Sequence, residues 1–217
     1  LLSRPGTAEE VDTSIPLRPA APAYEVSDAI KHECGLAFIR LRKPLQYYQQ
    51  KYGSAHHGIN KLFLLMEKQH NRGQDGAGVA SIKLDPKPGQ NFIDRVRSTD
   101  KQAIQKIFGG IHKGIQAAID KDPGIASDTE RLKGEVPFLG EVLLGHLRYA
   151  TYGADGLENC HPRRRVSNWI TRNLVLAGNF NMTNVDELFA LLVNIGQHPK
   201  EKSDTMTVLE KIGHYLD

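Results

Sequence analysis

The chain has 217 residues, of which 40% are apolar and 24% charged, the proportions of an ordinary soluble globular protein. A net charge of +3 is too small to predict binding to nucleic acid or to an anionic membrane, and no apolar run reaches the roughly 20 residues of a membrane-spanning helix. The N-terminus lacks a secretory signal, and two cysteines, Cys34 and Cys160, make no disulfide framework, so we expect a cytoplasmic protein.

The first part of the chain changes character near residue 28. Residues 1 to about 27 carry prolines, scattered charge and little apolar periodicity, and are predicted to be extended or disordered. An apolar strand is predicted at 34–41, and a charged, aromatic excursion at 41–57. A helix is predicted at 58–69 and a strand at 78–84, which leads into a loop at 85–89.

The second part mixes helices and strands. A helix is predicted at 101–120, a punctuated polar segment at 121–140, and strands at 142–150 and 173–177. Asn184 is predicted to cap one helix, and the last helix begins near Asp204 with Leu209, Ile212 and Leu216 facing inward. Because no regular βαβ alternation occurs, the pattern favours layered antiparallel sheets with helices outside.

Four side chains suggest chemistry, each with an ordinary alternative. Cys34 heads an apolar strand, where it is either a nucleophile or a small core residue. Arg148 ends a strand, and its guanidinium suits either bidentate capture of a carboxylate or a surface position. The Asn179 amide suits an oxyanion hole or an Asx turn, and Asp204 suits an ammonium group or a helix cap.

Five segments in a fixed order carry a family resemblance. They are Cys34-Gly35, RGQDGAG at 72–78, GHLRYAT at 145–151, NFN at 179–181 and Ser203-Asp204. Over residues 28–217 the chain resembles the class II glutamine amidotransferase domain, a member of the N-terminal-nucleophile hydrolases. Segments 31–35 and 176–184 are most similar to the glutaminase half of amidophosphoribosyltransferases, and segments 41–57 and 160–162 indicate a divergent branch.

The resemblance implies an α+β fold, a four-layer αββα sandwich of two antiparallel sheets, over residues 34–217. It also implies the chemical groups. Cys34 is the nucleophile that forms a γ-glutamyl thioester and releases ammonia, and its own free α-amine is the general base. Asn179, through its side chain, and Phe180, through its backbone N–H, form the oxyanion hole.

The resemblance further implies how glutamine is bound. Arg148 holds the α-carboxylate, Asp204 holds the α-ammonium group, and Thr151 lies beside them. Arg72 and Gly73 shape the loop around the N-terminus.

The chain departs from the family pattern at three positions. Phe180 stands where glycine is common, which keeps the backbone N–H but would be strained at positive φ. Gly178 and Tyr152 stand where histidine occurs in relatives. None of these changes removes a group that the chemistry requires.

The 33 residues before Cys34 matter because a peptide nitrogen is not a base. We therefore expect residues 1–33 to be a leader, and the uncut chain to be inactive as a glutaminase. Either this leader is a propeptide cleaved after Glu33, or much of 1–25 precedes a start near Val26; we favour a start there followed by cleavage. The first methionine is Met66 and the chain stops inside a predicted helix, so we expect a fragment of a longer protein.

The resemblance implies an overall reaction of glutamine, water and phosphoribosyl pyrophosphate to phosphoribosylamine, glutamate and pyrophosphate, in purine biosynthesis. The phosphoribosyltransferase domain, with Mg²⁺, is expected after Asp217, so this segment needs no cofactor and at most hydrolyses glutamine. The full-length enzyme is expected to be a homo-oligomer.

Two alternative functions remain: a glucosamine-6-phosphate- or asparagine-forming amidotransferase, and a catalytically silent scaffold domain.

Two further patterns have weaker interpretations. Arg163, Arg164 and Arg165 are interpreted as a solvated loop, with phosphate binding as the alternative. His70, His146 and His161 match no compact metal-ligand spacing, so no metal site is predicted.

Overall fold

The computed structural model describes residues 33–149, 156–199 and 201–217, and the statements below concern these residues. Contacts within the chain set apart His32–Asp217 as one unit. The predicted leader lies outside the described residues except for Glu33. No helix among the described residues is long and apolar enough to cross a membrane.

The strands form two antiparallel sheets. The first contains β1 (Gly35–Arg40), β2 (Gly76–Ile82), β3 (Ile93–Ser98) and β4 (Val142–Arg148), in the order β1-β4-β2-β3. The second pairs β5 (Arg163–Arg165) with β6 (Leu174–Leu176). In the first sheet Gly35 of β1 stands opposite Leu147 of β4, so the residues just beyond these strand ends come together.

The described residues contain six α-helices. They are α1 (Leu45–Tyr52), α2 (His57–Lys68), α3 (Ala103–Lys121), α4 (Thr129–Glu135), α5 (Val185–Asn194) and α6 (Asp204–Leu216). Helices α2 and α3 pack on one face of the first sheet, and their apolar stripes supply much of the core, including Ile59, Leu62, Met66, Ile107 and Phe108. Helix α6 packs on β5 and β6, and α5 packs on α6.

The second layer lies directly on the other face of β2. A Cβ atom added to Gly78 would stand 1.9 Å from the carbonyl oxygen of His161, so only glycine permits this approach. Arg97 of β3 also donates to the Cys160 carbonyl oxygen (2.8 Å). Helices, sheet, sheet and helices therefore follow one another, which confirms the predicted αββα class.

The arginine run is not a solvated loop, and that prediction is wrong. Arg163 is buried in β5 and forms an ion pair with Glu201. Arg165 pairs with Glu210 of α6 (3.1 Å) and with Asp217. Strand pairing and acidic partners, Glu210 on α6 and Glu201 and Asp217 on either side of it, explain how Arg163 and Arg165 lie inside the fold.

Three local predictions also differ from the structure. The excursion at 41–57 contains α1, of which only Leu45 is buried. The polar segment at 121–140 contains α4, capped by the Asp128 side chain through the Arg131 N–H (3.0 Å). In α6, Leu209 is buried as predicted, but Ile212 and Leu216 are each 38% exposed.

Candidate active site

The site begins where β1 starts and β4 ends. Cys34 immediately precedes β1. The antiparallel pairing of β1 with β4 brings the cysteine beside Tyr149. The Tyr149 N–H lies 3.5 Å from Sγ of Cys34, and the Tyr149 carbonyl oxygen lies 3.9 Å from it. Cys34 is half-buried, whereas Glu33 is exposed, so the peptide bond between them stands at the surface end of the strand.

A cavity of about 270 Å³ opens beside this thiol. Five residues predicted from the sequence line it together: Cys34, Arg148, Asn179, Phe180 and Asp204. The other lining residues are His146, Tyr149, Asn159, His161, Arg163, Gly178, Ser203 and Thr205. The cavity thus joins a thiol, a guanidinium group, an amide and a carboxylate, the groups needed to hold and cleave an amino-acid amide.

Arg148 brings positive charge to this cavity. It is the last residue of β4, and its side chain is only 6% exposed. A buried guanidinium suits a bound anion because little solvent competes with it. Arg163 also lines the cavity, but Glu201 already pairs with it.

The Gly178–Phe180 segment follows β6. The Asn179 side chain is exposed, and the Phe180 ring folds back onto Gly178, where an added Cβ atom would stand 2.6 Å from the ring. Phe180 is not among the described residues with positive φ, so the departure from glycine causes no such backbone strain. Asn179 and Phe180 both line the cavity, whereas the Gly178 N–H is bonded to the His161 ring.

Asp204 does not act as the helix cap that the sequence left open. Ser203 holds the N-cap position of α6, and its hydroxyl accepts from the Met206 N–H (3.3 Å). Oδ2 of Asp204 accepts a hydrogen bond from the Met182 N–H (2.9 Å). The carboxylate therefore lies at the cavity wall and contacts the loop that carries Asn179.

Two histidines of the cavity, His146 and His161, are among those whose spacing predicts no metal site, and no other role is predicted for them from the sequence. The rings of His146 and His161 lie 4.6 Å apart. Burial, followed by the charge of the other ring, lowers the pKa of His146 to about 3; burial, followed by the charge of Arg163, lowers that of His161 to about 4. The Gly178 N–H donates to Nδ1 of His161, whereas neither nitrogen of His146 hydrogen-bonds within the described residues.

The sequence contained a signal for His146 but none for His161. Alternation along β4 puts His146 on the same face as Arg148, two residues later. The hydrogen-bond partners of His161 are Gly178 and Thr205, which lie 17 and 44 residues later in the chain.

Acidification is expected to destabilise the fold through these two histidines. Because both pKa values are lower in the folded state than the usual 6.5, the unfolded chain binds more protons as the pH falls below 6.5. Stability is then fully present above pH 6.5 and is lost by roughly 1 kcal/mol per pH unit for each imidazole down to about pH 4. Urea unfolding between pH 7 and pH 5 measures this slope.

A variant comparison isolates the contribution of one ring. His146→Phe should unfold with a smaller pH slope than the natural protein, because its ring cannot be protonated. His112→Gln, a change at an exposed histidine of α3, provides the matched control. Equal slopes in the natural protein and His146→Phe would show that His146 is not held neutral by the fold.

Two other predicted site residues, Arg72 and Gly73, do not line this cavity. Arg72 is exposed and is not among the residues that line this cavity. Gly73 packs on the end of β4, where an added Cβ atom would stand 2.7 Å from the carbonyl oxygen of Arg148. Gly73 therefore supports the strand end from behind the site, while Thr151 and Tyr152 lie outside the described residues.

A larger cavity, about 690 Å³, lies between α3 and β3. Apolar side chains form most of its wall, and it contains none of the residues predicted for the site. The smaller cavity is the candidate site, because the thiol and its polar neighbours line it. Among the described residues, no group of three or more His, Cys, Asp or Glu side chains is placed to hold a metal ion.

The chain aligns with known enzymes at low sequence identity. No protein-family model matches the chain. Amidophosphoribosyltransferases 1 and 3 of Arabidopsis thaliana, both chloroplastic, are 27% and 26% identical to it over 152 residues, or 69% of the chain. The aligned part spans only 21% and 22% of those relatives, about a fifth of their length.

Two solved structures also align with this one. Glutamine phosphoribosylpyrophosphate amidotransferase from B. subtilis, complexed with ADP and GMP, is 22% identical with a TM-score of 0.44, covering 81% of this chain and 28% of that one. An allosteric regulatory enzyme of purine biosynthesis is 21% identical with a TM-score of 0.46, covering 82% and 28%. The Arabidopsis relatives, not these structures, support the resemblance to the glutaminase part of amidophosphoribosyltransferases that the motifs predict.

Proposed function

We propose that this chain is the glutamine-hydrolysing domain of an amidophosphoribosyltransferase, in which Cys34 acts as an N-terminal nucleophile. The observation that supports this most directly is the shared cavity of Cys34, Arg148, Asn179 and Asp204. These groups come from four separate parts of the chain, and each has a chemical use toward glutamine.

Substrate binding uses the two charged groups. The Arg148 guanidinium binds the α-carboxylate of glutamine in a bidentate manner. Asp204 keeps Oδ2 on the Met182 N–H and offers its other oxygen to the α-ammonium group. This double recognition fixes the amino-acid end of glutamine, so the side-chain amide extends toward Cys34.

Hydrolysis then proceeds through a thioester. The free α-amine of Cys34 takes the thiol proton, and the sulfur attacks the amide carbon. The Asn179 side chain and the Phe180 backbone N–H stabilise the negative oxygen of the tetrahedral intermediate. The proton passes to the departing nitrogen, which leaves as ammonia, and water then cleaves the thioester to give glutamate.

The use of the ammonia lies beyond this chain. The relatives are about five times longer than the matched part and are named amidophosphoribosyltransferases. We therefore propose that ammonia reacts with phosphoribosyl pyrophosphate in another domain, giving phosphoribosylamine. The steps assigned to this chain use side-chain and main-chain groups only.

A glutamine-analogue diazo-ketone tests the proposal. The intact protein with Cys34 as its first residue should take up one equivalent, located on Cys34 by mass spectrometry. Cys160 is an internal control, because it is fully buried and burial raises the pKa of its thiol. Glutamine added in excess should protect Cys34.

Three outcomes would contradict the proposal. Absence of label on processed protein would indicate a silent scaffold domain. Label on Cys160 alone, or label on Cys34 that glutamine does not prevent, would show that the cavity does not select this amino acid.

A further inference from the structure

His161 lies where three segments of the candidate site meet. Its Nδ1 accepts a hydrogen bond from the Gly178 N–H (3.4 Å), so the neutral ring carries its proton on Nε2. That nitrogen donates to the hydroxyl oxygen of Thr205 (2.9 Å), a buried residue in the first turn of α6. The imidazole therefore bridges the start of the Asn179 loop and the start of α6.

The far end of the same loop is held by the residue next to Thr205. Oδ2 of Asp204 accepts from the Met182 N–H (2.9 Å). Residues 178–182 are thus held at one end by Thr205, through the His161 ring, and at the other end directly by Asp204. Three hydrogen bonds, with the covalent chain between them, close a ring that we call the loop clasp: His161, Gly178–Met182, Asp204 and Thr205.

The clasp is anchored to the first sheet. The carbonyl oxygen of His161 packs on Gly78 of β2, leaving no room for a Cβ atom there. The His161 ring also packs against His146 of β4, with 4.6 Å between the ring centroids. The imidazole consequently has a fixed position relative to β4. This strand ends at Arg148, and the next residue, Tyr149, lies beside the Cys34 sulfur.

Inside the clasp, the side chains leave little freedom to the loop. The Phe180 ring lies on Gly178, and its centroid is 6.4 Å from that of His161. Asn179 and Phe180 stand between the two fixed ends. Their orientation relative to Cys34 therefore depends on both attachments.

We infer that His161 is a positioning residue, which sets the oxyanion-binding groups of Asn179 and Phe180 by joining Gly178 to Thr205. The inference rests on the proposed glutaminase function. It gives His161 no proton-transfer role, because both ring nitrogens are already engaged in hydrogen bonds, Nδ1 as an acceptor and Nε2 as a donor. The Gly178 N–H fixes the proton on Nε2, and Thr205 acts through His161 by accepting the hydrogen bond from that nitrogen.

Kinetics of variants of the intact protein, with Cys34 first, test this inference. His161→Phe should lower kcat for glutamine hydrolysis by about 10- to 100-fold, with KM changed by less than about threefold, because the loop acts on the transition state. His161→Gln, whose amide can accept and donate, should recover at least half of the logarithmic loss. Thr205→Val should lower kcat, and Thr183→Val, at an exposed threonine beside the loop, should not.

The double variant separates positioning from general damage. If Thr205 acts through His161, His161→Phe with Thr205→Val should be no slower than His161→Phe alone. Multiplied losses, a rise in KM with unchanged kcat, or a His161→Gln variant as slow as His161→Phe would overturn the inference.

Nitrogen-15 NMR of histidine-labelled protein gives a readout that needs no activity. The His161 ring should be neutral and protonated on Nε2 at pH 7, and Thr205→Val should shift its Nε2 signal. A ring protonated on Nδ1 would overturn the inference by itself. If processed protein neither hydrolyses glutamine nor labels at Cys34, the proposed function fails, and the NMR result still decides whether the clasp exists.

Discussion

Protein whose first residue is Cys34 is expected to hydrolyse glutamine about 10²- to 10⁴-fold faster than the same protein that retains Glu33, the range that a positioned general base contributes. A free α-amine titrates near pH 8 and can take a proton from a thiol, whereas the lone pair of a peptide nitrogen is delocalised into the carbonyl. Release of glutamate, measured at several pH values, checks the expectation. The rate of the processed form should rise as the pH approaches 8.

The comparison needs two controls. N-terminal sequencing establishes which residue comes first in each preparation. Acetylation of the Cys34 amine in the processed form should return the rate to that of the Glu33 form, since it removes the base and leaves the thiol. Equal rates with and without Glu33 would mean that another group activates the sulfur.

The position of Glu33 supports the feasibility of this processing. Glu33 is exposed and Cys34 is half-buried, so the bond between them is not covered by the sheet. The carbonyl oxygen and the backbone nitrogen of Tyr149 lie 3.9 Å and 3.5 Å from the sulfur, so the thiol is at the strand end in the chain that retains Glu33.

The parts of the fold that the sequence predicted are those with local signals. Apolar residues at helical spacing located α2 and α3, and apolar runs located β1, β4 and β6. The strand predictions also put Cys34 at the head of the first strand, one residue before β1 begins, and Arg148 at the end of β4. Antiparallel pairing then brings these two ends together, a step that the sequence alone left open.

The parts that the sequence did not predict depend on distant partners. The charge of Arg163 favoured a solvated loop, but Glu201, 38 residues later, neutralises it inside the fold. Strand β3 carries Asp94, Arg95 and Arg97 among its six residues, so its composition gave no apolar pattern. In each case tertiary contacts outweigh the local signal.

The residues of the candidate site also differ in whether the sequence alone could identify them. Motifs named the groups that would touch glutamine, because each group's chemistry is visible in its residue type. The supports around them, such as His161 and Thr205, depend on the fold for their meaning. Their residue types are common, and only the hydrogen bonds at 3.4 Å and 2.9 Å distinguish them.

Replacement of Arg148 by leucine is expected to remove recognition of the glutamine α-carboxylate and to lower kcat/KM by about 30- to several-thousand-fold. This corresponds to roughly 2–5 kcal/mol, the usual cost of truncating one partner of a buried, hydrogen-bonded charge pair. Arg148→Lys keeps the charge but loses the planar fork, so it should lie between the natural protein and Arg148→Leu. Steady-state release of ammonia measures each value.

A second substrate separates lost recognition from a damaged fold. 4-Aminobutanamide is glutamine without its α-carboxylate, and the natural protein should strongly prefer glutamine to it. In Arg148→Leu the ratio of the two kcat/KM values should fall close to one. Because the ratio is measured within one preparation, a smaller fraction of folded protein leaves it unchanged.

Two other arginines provide the decisive contrast. Arg164→Leu changes an exposed residue of β5 outside the cavity and should leave the preference for glutamine intact. Arg163 lines the cavity but is already paired with Glu201, so Arg163→Leu should retain most of the preference as well. If Arg163→Leu erased the preference and Arg148→Leu did not, the carboxylate would bind at β5, and the binding mode proposed for glutamine would be wrong.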